Sequence, residues 1–190
     1  LSMSPERFLK ISPQKSTNTL LVETKPIKGT MPRGKSAQQD QKNADTLLNS
    51  QKDRSENVMI VDLLRNDISK NCTPGTVKTP QLFALESFPN VHHLVSTVTG
   101  ELAPESSPLR LLRDCFPGGS ITGAPKKRAM EIIEELEPIR RSAYCGSIGY
   151  LSANNHMDMN IAIRTMVASK SVMHCWGGGG IVADSEANNE

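Results

Sequence analysis

Apolar positions along the chain divide it into a helical middle and an extended C-terminal third. Over residues 44–66, Leu47, Leu48, Val58, Ile60, Val61 and Leu64 fit one helix buried along its second half. Residues 108–116 read as a second, short helix. A third starts near Pro125, a residue suited to a first helical position, and carries Met130, Ile133 and Leu136 at helical spacing before Pro138. Beyond it the period drops to two. Ile161, Ile163, Thr165 and Val167 share one face of a strand, with Ala162, Arg164 and Met166 on the other. Strands over 145–152 and 172–176 flank it, and links as short as Ala153-Asn154-Asn155-His156 predict a β-meander. Residues 34–43 are polar, rich in Lys, Gln and Ser and without apolar period, which predicts an exposed loop and a conceivable lid. Ser4-Pro5-Glu6 resembles a helix start. Helices mixed with antiparallel strands imply an α+β fold.

Composition narrows this picture. At 190 residues and 37% hydrophobic, the chain can bury the core of one soluble globular domain. A formal net charge of +2, with dispersed Lys and Arg, argues against a nucleic-acid surface, so any bound anion needs a local site. Cys72, Cys115, Cys145 and Cys175 form no CxxC, which suggests neither zinc site nor disulfide framework and fits a reducing cytoplasm. No apolar run approaches the roughly 20 residues that span a bilayer, so no membrane segment is expected. The first residue is Leu1, not Met, which suggests a piece of a longer polypeptide.

Several residues are candidates for chemistry, each with a plainer alternative. The run Phe116-Pro117-Gly118-Gly119-Ser120-Ile121-Thr122-Gly123-Ala124-Pro125-Lys126 delivers a glycine-rich turn into a helix. It is either an anion cradle of backbone amides assisted by Lys126, or an ordinary loop capped by Thr122. Asp53 and Glu56, three apart on a helix, suit a hard cation such as Mg²⁺ or are solvated surface. Glu190 adds a carboxylate just beyond Gly177-Gly178-Gly179-Gly180. Arg164 in a half-buried strand suits bidentate carboxylate recognition or an internal salt bridge. Of His92 and His93, before an apolar strand over 94–98, one ring should point in and one out. Lys28 stands in Pro26-Ile27-Lys28-Gly29-Thr30 as a loop lysine. Exposed at pH 7 it is only about 0.04% deprotonated, so nucleophilic use demands burial or a nearby cation.

Six segments, in order and almost end to end, resemble the chorismate-utilising enzymes. They are Ser4-Pro5-Glu6-Arg7-Phe8, the Pro26-to-Thr30 motif, ENVMIVDLLRND from Glu56, HHLVS from His92, the glycine-rich run to Lys126, and GGIVADS from Gly179. The resemblance implies stacked antiparallel β-sheets with helices outside, here incomplete, and makes residues 1–190 a C-terminal chorismate-binding catalytic domain. Lys28, where most relatives carry Ala, points to the branch that makes 4-amino-4-deoxychorismate through a covalent lysine adduct. Anthranilate synthesis, or a non-catalytic chorismate-binding fragment, are the alternatives. By the same resemblance, Lys28, Glu6 and His93 are catalytic, with Glu6 the acid for the departing hydroxyl. Asp53, Glu56 and Glu190 hold Mg²⁺, and the family has a further acidic ligand after Glu190. Thr30, Gly119, Thr122, Gly123, Tyr144, Arg164 and Gly180 bind substrate. Chorismate and ammonia are the implied substrates, with a glutamine amidotransferase, separate or fused, as partner, in folate and para-aminobenzoate synthesis.

Overall fold

A computed structural model describes residues 1–182 and Ser185. Phe8, Leu9 and Ile11 of strand β1 (Arg7–Gln14) are buried, consecutive Phe8 and Leu9 included, because a register shift there interrupts alternation. β1 pairs antiparallel with β2 (Thr19–Lys25), and β3 (Ile27–Pro32) prolongs β2 beyond Pro26. Helices α1 (Ala37–Leu48) and α2 (Gln51–Ser69) follow, then the paired strands β4 (Lys78–Ser87) and β5 (Val91–Glu101). Next come α3 (Pro108–Cys115), a 3-10 turn at Gly119–Ile121, α4 (Lys126–Leu136), and the short strands β6 (Gly149–Leu151) and β7 (Met157–Asn160). β8 (Met166–Ser169) and β9 (Val172–Cys175) pair only with each other.

Among the described residues, seven strands form one antiparallel sheet in the order β3-β5-β2-β1-β7-β6, with β4 on the other side of β5. One edge of β5 is shared: its first half pairs with β3 and its second with β2. Even-numbered β5 residues face the helices, since His92 meets Asp40 of α1 and Ser96 meets Asn57 of α2. The core joins β1, β2 and β5 to α2 and α3 through Phe8, Leu9, Ile11, Val22, Val61, Ile68, Val98 and Leu111. The α+β class with antiparallel sheets stands, in the incomplete form expected: the described strands form one seven-stranded sheet and a separate two-stranded hairpin.

Several sequence expectations are corrected. Residues 34–43 are no loop, because most of them belong to α1. Ser36 caps it by accepting the Gln39 N–H, and Gln39–Asn43 and Gln41–Asp45 side-chain hydrogen bonds run along it. Only Ala44 and Leu47 of α1 are buried, too few anchors to leave an apolar period. The expected single helix over 44–66 breaks at Asn49 and Ser50, where Ser50 starts α2 by accepting the Asp53 N–H. Pro125 stands at the N-cap of α4, not inside it, and α4 buries none of its apolar stripe. Ser4-Pro5-Glu6 starts no helix: the Glu6 carbonyl accepts the Ile161 N–H, an extension of the β1–β7 pairing. The alternating strand over 161–167 is absent. Ile161 and Ala162 are both buried, Arg164 turns into left-handed backbone at φ 49°, Thr165 makes only an isolated bridge with Ser2, and a strand resumes at Met166. The 145–152 strand shrinks to β6, and only its pairing with β7 and the β8–β9 hairpin remain of the meander.

Candidate active site

Lys28 owes its direction to an irregularity in β3. Pairing with β5 slips between Ile27 and Thr30, and Gly29 sits at φ 86°, a backbone region that strains any residue with a Cβ. Space enforces the same choice, because a Cβ at Gly29 would lie 2.8 Å from Leu47 Cδ1 and 2.9 Å from Asp53 Cγ. The slip turns Lys28 toward α2, while Thr30 turns to the opposite face of the sheet.

On the α2 side, Lys28 Nζ meets Glu56 Oε1 at 2.7 Å, with side chains only 14% and 12% exposed. Gly180 closes over this pair: a Cβ there would stand 2.5 Å from Glu56 Oε1 and 3.7 Å from Lys28 Nζ. Glu6 completes the group. It is 7% exposed, and burial raises its pKa; a hydrogen bond from Ser120 and the charge of Lys28 pull it down, and Glu56 pushes it up. A carboxyl kept protonated to higher pH by burial is suited to give a proton. Two acids, one lysine and a glycine without a side chain thus meet at the open edge of β3. Asp53 borders the same place through Gly29, one turn of α2 from Glu56.

The other predicted residues fall into separate groups. His92 and His93 are both buried, at 3% and 4% exposure, contrary to the one-in, one-out expectation, because β5 is covered on both faces. His92 is held by Ser87 at 2.8 Å and Asp40 at 3.0 Å. His93 Nδ1 lies 2.8 Å from the Thr30 hydroxyl, borders a hollow of about 360 Å³, and has its pKa lowered by burial, then by Arg164, against a rise from Glu86. Arg164 is exposed rather than half-buried, and reaches this second group, not Glu6. Tyr144 stacks with Trp176 and touches Gly178, two residues before Gly180.

The glycine-rich turn is a built structure. Gly119 packs on Leu63, Gly123 adopts φ 148° against Ala129, and the Thr122 hydroxyl donates back to the Gly118 carbonyl at 2.9 Å instead of capping α4. Lys126 does not face an anion. Its ammonium donates to Asp67 at 2.5 Å and to the Cys115 carbonyl at 2.8 Å. Asp67, 1% exposed, also accepts from Lys70. This clasp anchors the turn to the far end of α2 and so sets where Ser120 meets Glu6. Neither Ser120 nor Asp67 stands out from spacing, although both lie inside the matched segments.

Behind Glu56, Asn57 is fully buried and accepts a 2.5 Å hydrogen bond from Ser96, whose Oγ in turn accepts the Phe83 N–H at 3.1 Å. Asn57 Nδ2 has no partner among the described residues, an arrangement that costs about 1–3 kcal/mol for a buried donor.

Among the described residues, no three His, Cys, Asp or Glu side chains gather as a metal shell. Glu190 lies outside the described residues. The donors that are described suit Mg²⁺, which takes one or two carboxylates and keeps several waters, and Gly180 leaves beside Glu56 the space that a Cβ would fill. All four cysteines are free, and no described helix is long and apolar enough to cross a membrane.

The chain as a whole resembles known proteins. The chain is 56% identical over its whole length to aminodeoxychorismate synthase component 1 of Salmonella typhimurium, of which it covers 40%. It is 42% identical to anthranilate synthase component 1 of Saccharolobus solfataricus, covering all of this chain and 44% of that protein. The crystal structure of anthranilate synthase component I from Streptococcus pneumoniae superposes with a TM-score of 0.83 at 39% identity, over 100% of this chain and 40% of that one. The chain thus spans about two fifths of these relatives' length. The profile of the family described as chorismate binding enzyme matches residues 1–190, and the chain belongs to that family.

Proposed function

We propose that this chain is the catalytic domain of a chorismate aminase, which converts chorismate and ammonia to 4-amino-4-deoxychorismate and water. The observation that carries the reading is Lys28, half-buried beside two carboxyls at the mouth of the sheet, in a chain 56% identical to a protein named for that product's synthase. Lys28 sheds a proton, for which Glu56 at 2.7 Å is an acceptor, and its amine bonds to C2 of chorismate. The ring double bonds shift, the C4–O bond breaks, and Glu6 gives its proton so that the 4-hydroxyl leaves as water. Ammonia then bonds to C4, the double bonds return, and the C2–N bond to Lys28 breaks, which regenerates the lysine. The glycine turn, Tyr144, Arg164 and the amides near Gly180 orient the substrate carboxylates, with Thr30 and His93 on the far side of β3. Asp53, Glu56 and Glu190 would hold Mg²⁺, which when bound neutralises carboxylate charge on the substrate. A glutamine amidotransferase supplies ammonia, and the setting is the cytoplasm.

The complete enzyme, given chorismate, Mg²⁺ and ammonium, is expected to yield 4-amino-4-deoxychorismate by mass spectrometry. Anthranilate with pyruvate would replace this reading by the anthranilate-forming one, which relatives such as the Saccharolobus protein keep in view. Lys28→Ala should lower kcat on the order of 10³-fold and abolish a covalent mass increment on the enzyme formed without ammonia.

A further inference from the structure

Resting on that reading, the geometry points to Asn57, Ser96 and Phe83, with Arg54, as positioning residues that set the rotation of α2 and thereby the approach of Glu56 to Lys28. None of the four reaches the Lys28 group, and each is tied to the next. Asn57 follows Glu56 on α2 and accepts from Ser96 of β5. The Ser96 Oγ accepts the N–H of Phe83, where β4 carries an irregularity and the backbone sits at φ 58°, rare for a residue with a bulky side chain. Arg54, three residues before Asn57 and next to Asp53, lays its guanidinium 4.6 Å from the centre of the Phe83 ring. One face of α2 is therefore clasped twice to the same bend of β4, about 100° around the helix from the carboxylates it carries.

The chemistry of the contacts suits orientation more than adhesion. An apolar side chain at 57 would fill the space without a buried donor lacking a partner, yet the chain keeps an amide whose one partnered atom fixes direction. At a side-chain radius of about 6 Å, a rotation of α2 by about 10° moves a tip by ~1 Å. A misplacement of that size can cost about 10²-fold in rate. Hydrogen bonds hold against such rotation where apolar contacts slide.

The test is a double-mutant cycle of Ser96→Ala and Glu56→Gln in the complete enzyme, read by kcat and KM for chorismate and by urea midpoint. Ser96→Ala removes one hydroxyl and is expected to lower kcat 10- to 100-fold with KM within threefold of the starting value. Combined with Glu56→Gln it should cost little beyond Glu56→Gln alone, because both act through Glu56. A kcat within twofold of the parent, or losses that multiply, would overturn the proposal. If the parent makes no 4-amino-4-deoxychorismate, the reaction falls but the inference is still decided. Coupled urea midpoints then support a link between the clasp and Glu56, and additive ones overturn it. Asn57→Leu repeats the cycle with the amide removed, and Arg54→Met does so from the exposed side should the buried variant fail to fold.

Discussion

Helix α2 carries two lysine–carboxylate pairs that look alike and differ in their surroundings. Near its start, Glu56 takes Lys28 from an edge strand; near its end, Asp67 takes Lys126 from the glycine-rich turn. Asp67 is 1% exposed and accepts from two lysines, one on each oxygen, and Lys126 has a second acceptor in the Cys115 carbonyl, so both charges are held by more than one partner. Lys28 and Glu56 both keep an accessible fringe, and their neighbours are a buried acid and a glycine. On the proposed reading, the difference separates a clasp from a reactive group. A buried pair with both carboxylate oxygens engaged holds parts together, whereas one left partly open beside a proton donor can exchange partners with a substrate.

The widest separation between the pairs should appear in stability. Lys126→Met leaves a buried Asp67 with only the half-exposed Lys70, and the expected loss is ~3 kcal/mol in urea denaturation, near the low end for a broken buried pair. Adding Asp67→Met should recover much of it, since apolar groups of similar volume replace such pairs at little cost. Lys28→Met should destabilise by less than half as much while removing the proposed chemistry. Equal losses from the two lysines would erase the distinction.

The clasp and the site differ in how far the sequence exposes them. Lys28 is legible because Pro26-Ile27-Lys28-Gly29-Thr30 resembles a family motif, and Glu6 and Glu56 because their segments carry the same resemblance. Hydrophobic period alone captures α3 and the extent of α4, where apolar spacing is regular. It does not show α1, a polar helix held by Ser36 and two buried residues, nor the break at Ser50, where Leu47, Leu48 and Val58 keep a helical spacing across a cap. Arg164 escapes for a different reason. A left-handed residue between buried Ala162 and Thr165 mimics period two in the letters without forming a strand. Contacts between distant segments, such as Ser120 with Glu6 or Ser96 with Asn57, depend on topology and leave no local trace.

A smaller effect, specific to the open pair, should follow pH. Burial raises the pKa of Glu6 above the ordinary glutamate value of 4.5, so the folded state holds that proton more tightly than the unfolded chain does. Its contribution to stability is complete below about 4.5 and is lost as pH rises through the higher folded value. Glu6→Gln, which cannot ionise, should therefore gain on the parent as pH climbs from 4.5, in urea midpoints measured across the range. The same variant should lower kcat by about 10²-fold if Glu6 gives the proton. Parallel stability curves for the two proteins would show that Glu6 ionises freely and belongs with surface carboxylates.

The smallest effect tests whether the two ends of α2 are held independently. Ser50 caps the first turn by accepting the Asp53 N–H at 3.3 Å, and Asp53 in turn backs Gly29 beside Lys28. Ser50→Ala should cost about 1 kcal/mol, the usual value of an N-cap. Because the clasp at Asp67 is nearly five turns away from the cap, the loss should stay local. Amide exchange is expected to quicken over residues 51–54 and to remain unchanged over 64–69, with kcat lowered a fewfold because Asp53 shifts relative to Glu56. Faster exchange along the whole helix would mean that α2 opens as one unit, and that the Lys126 clasp protects the site only as long as the cap holds.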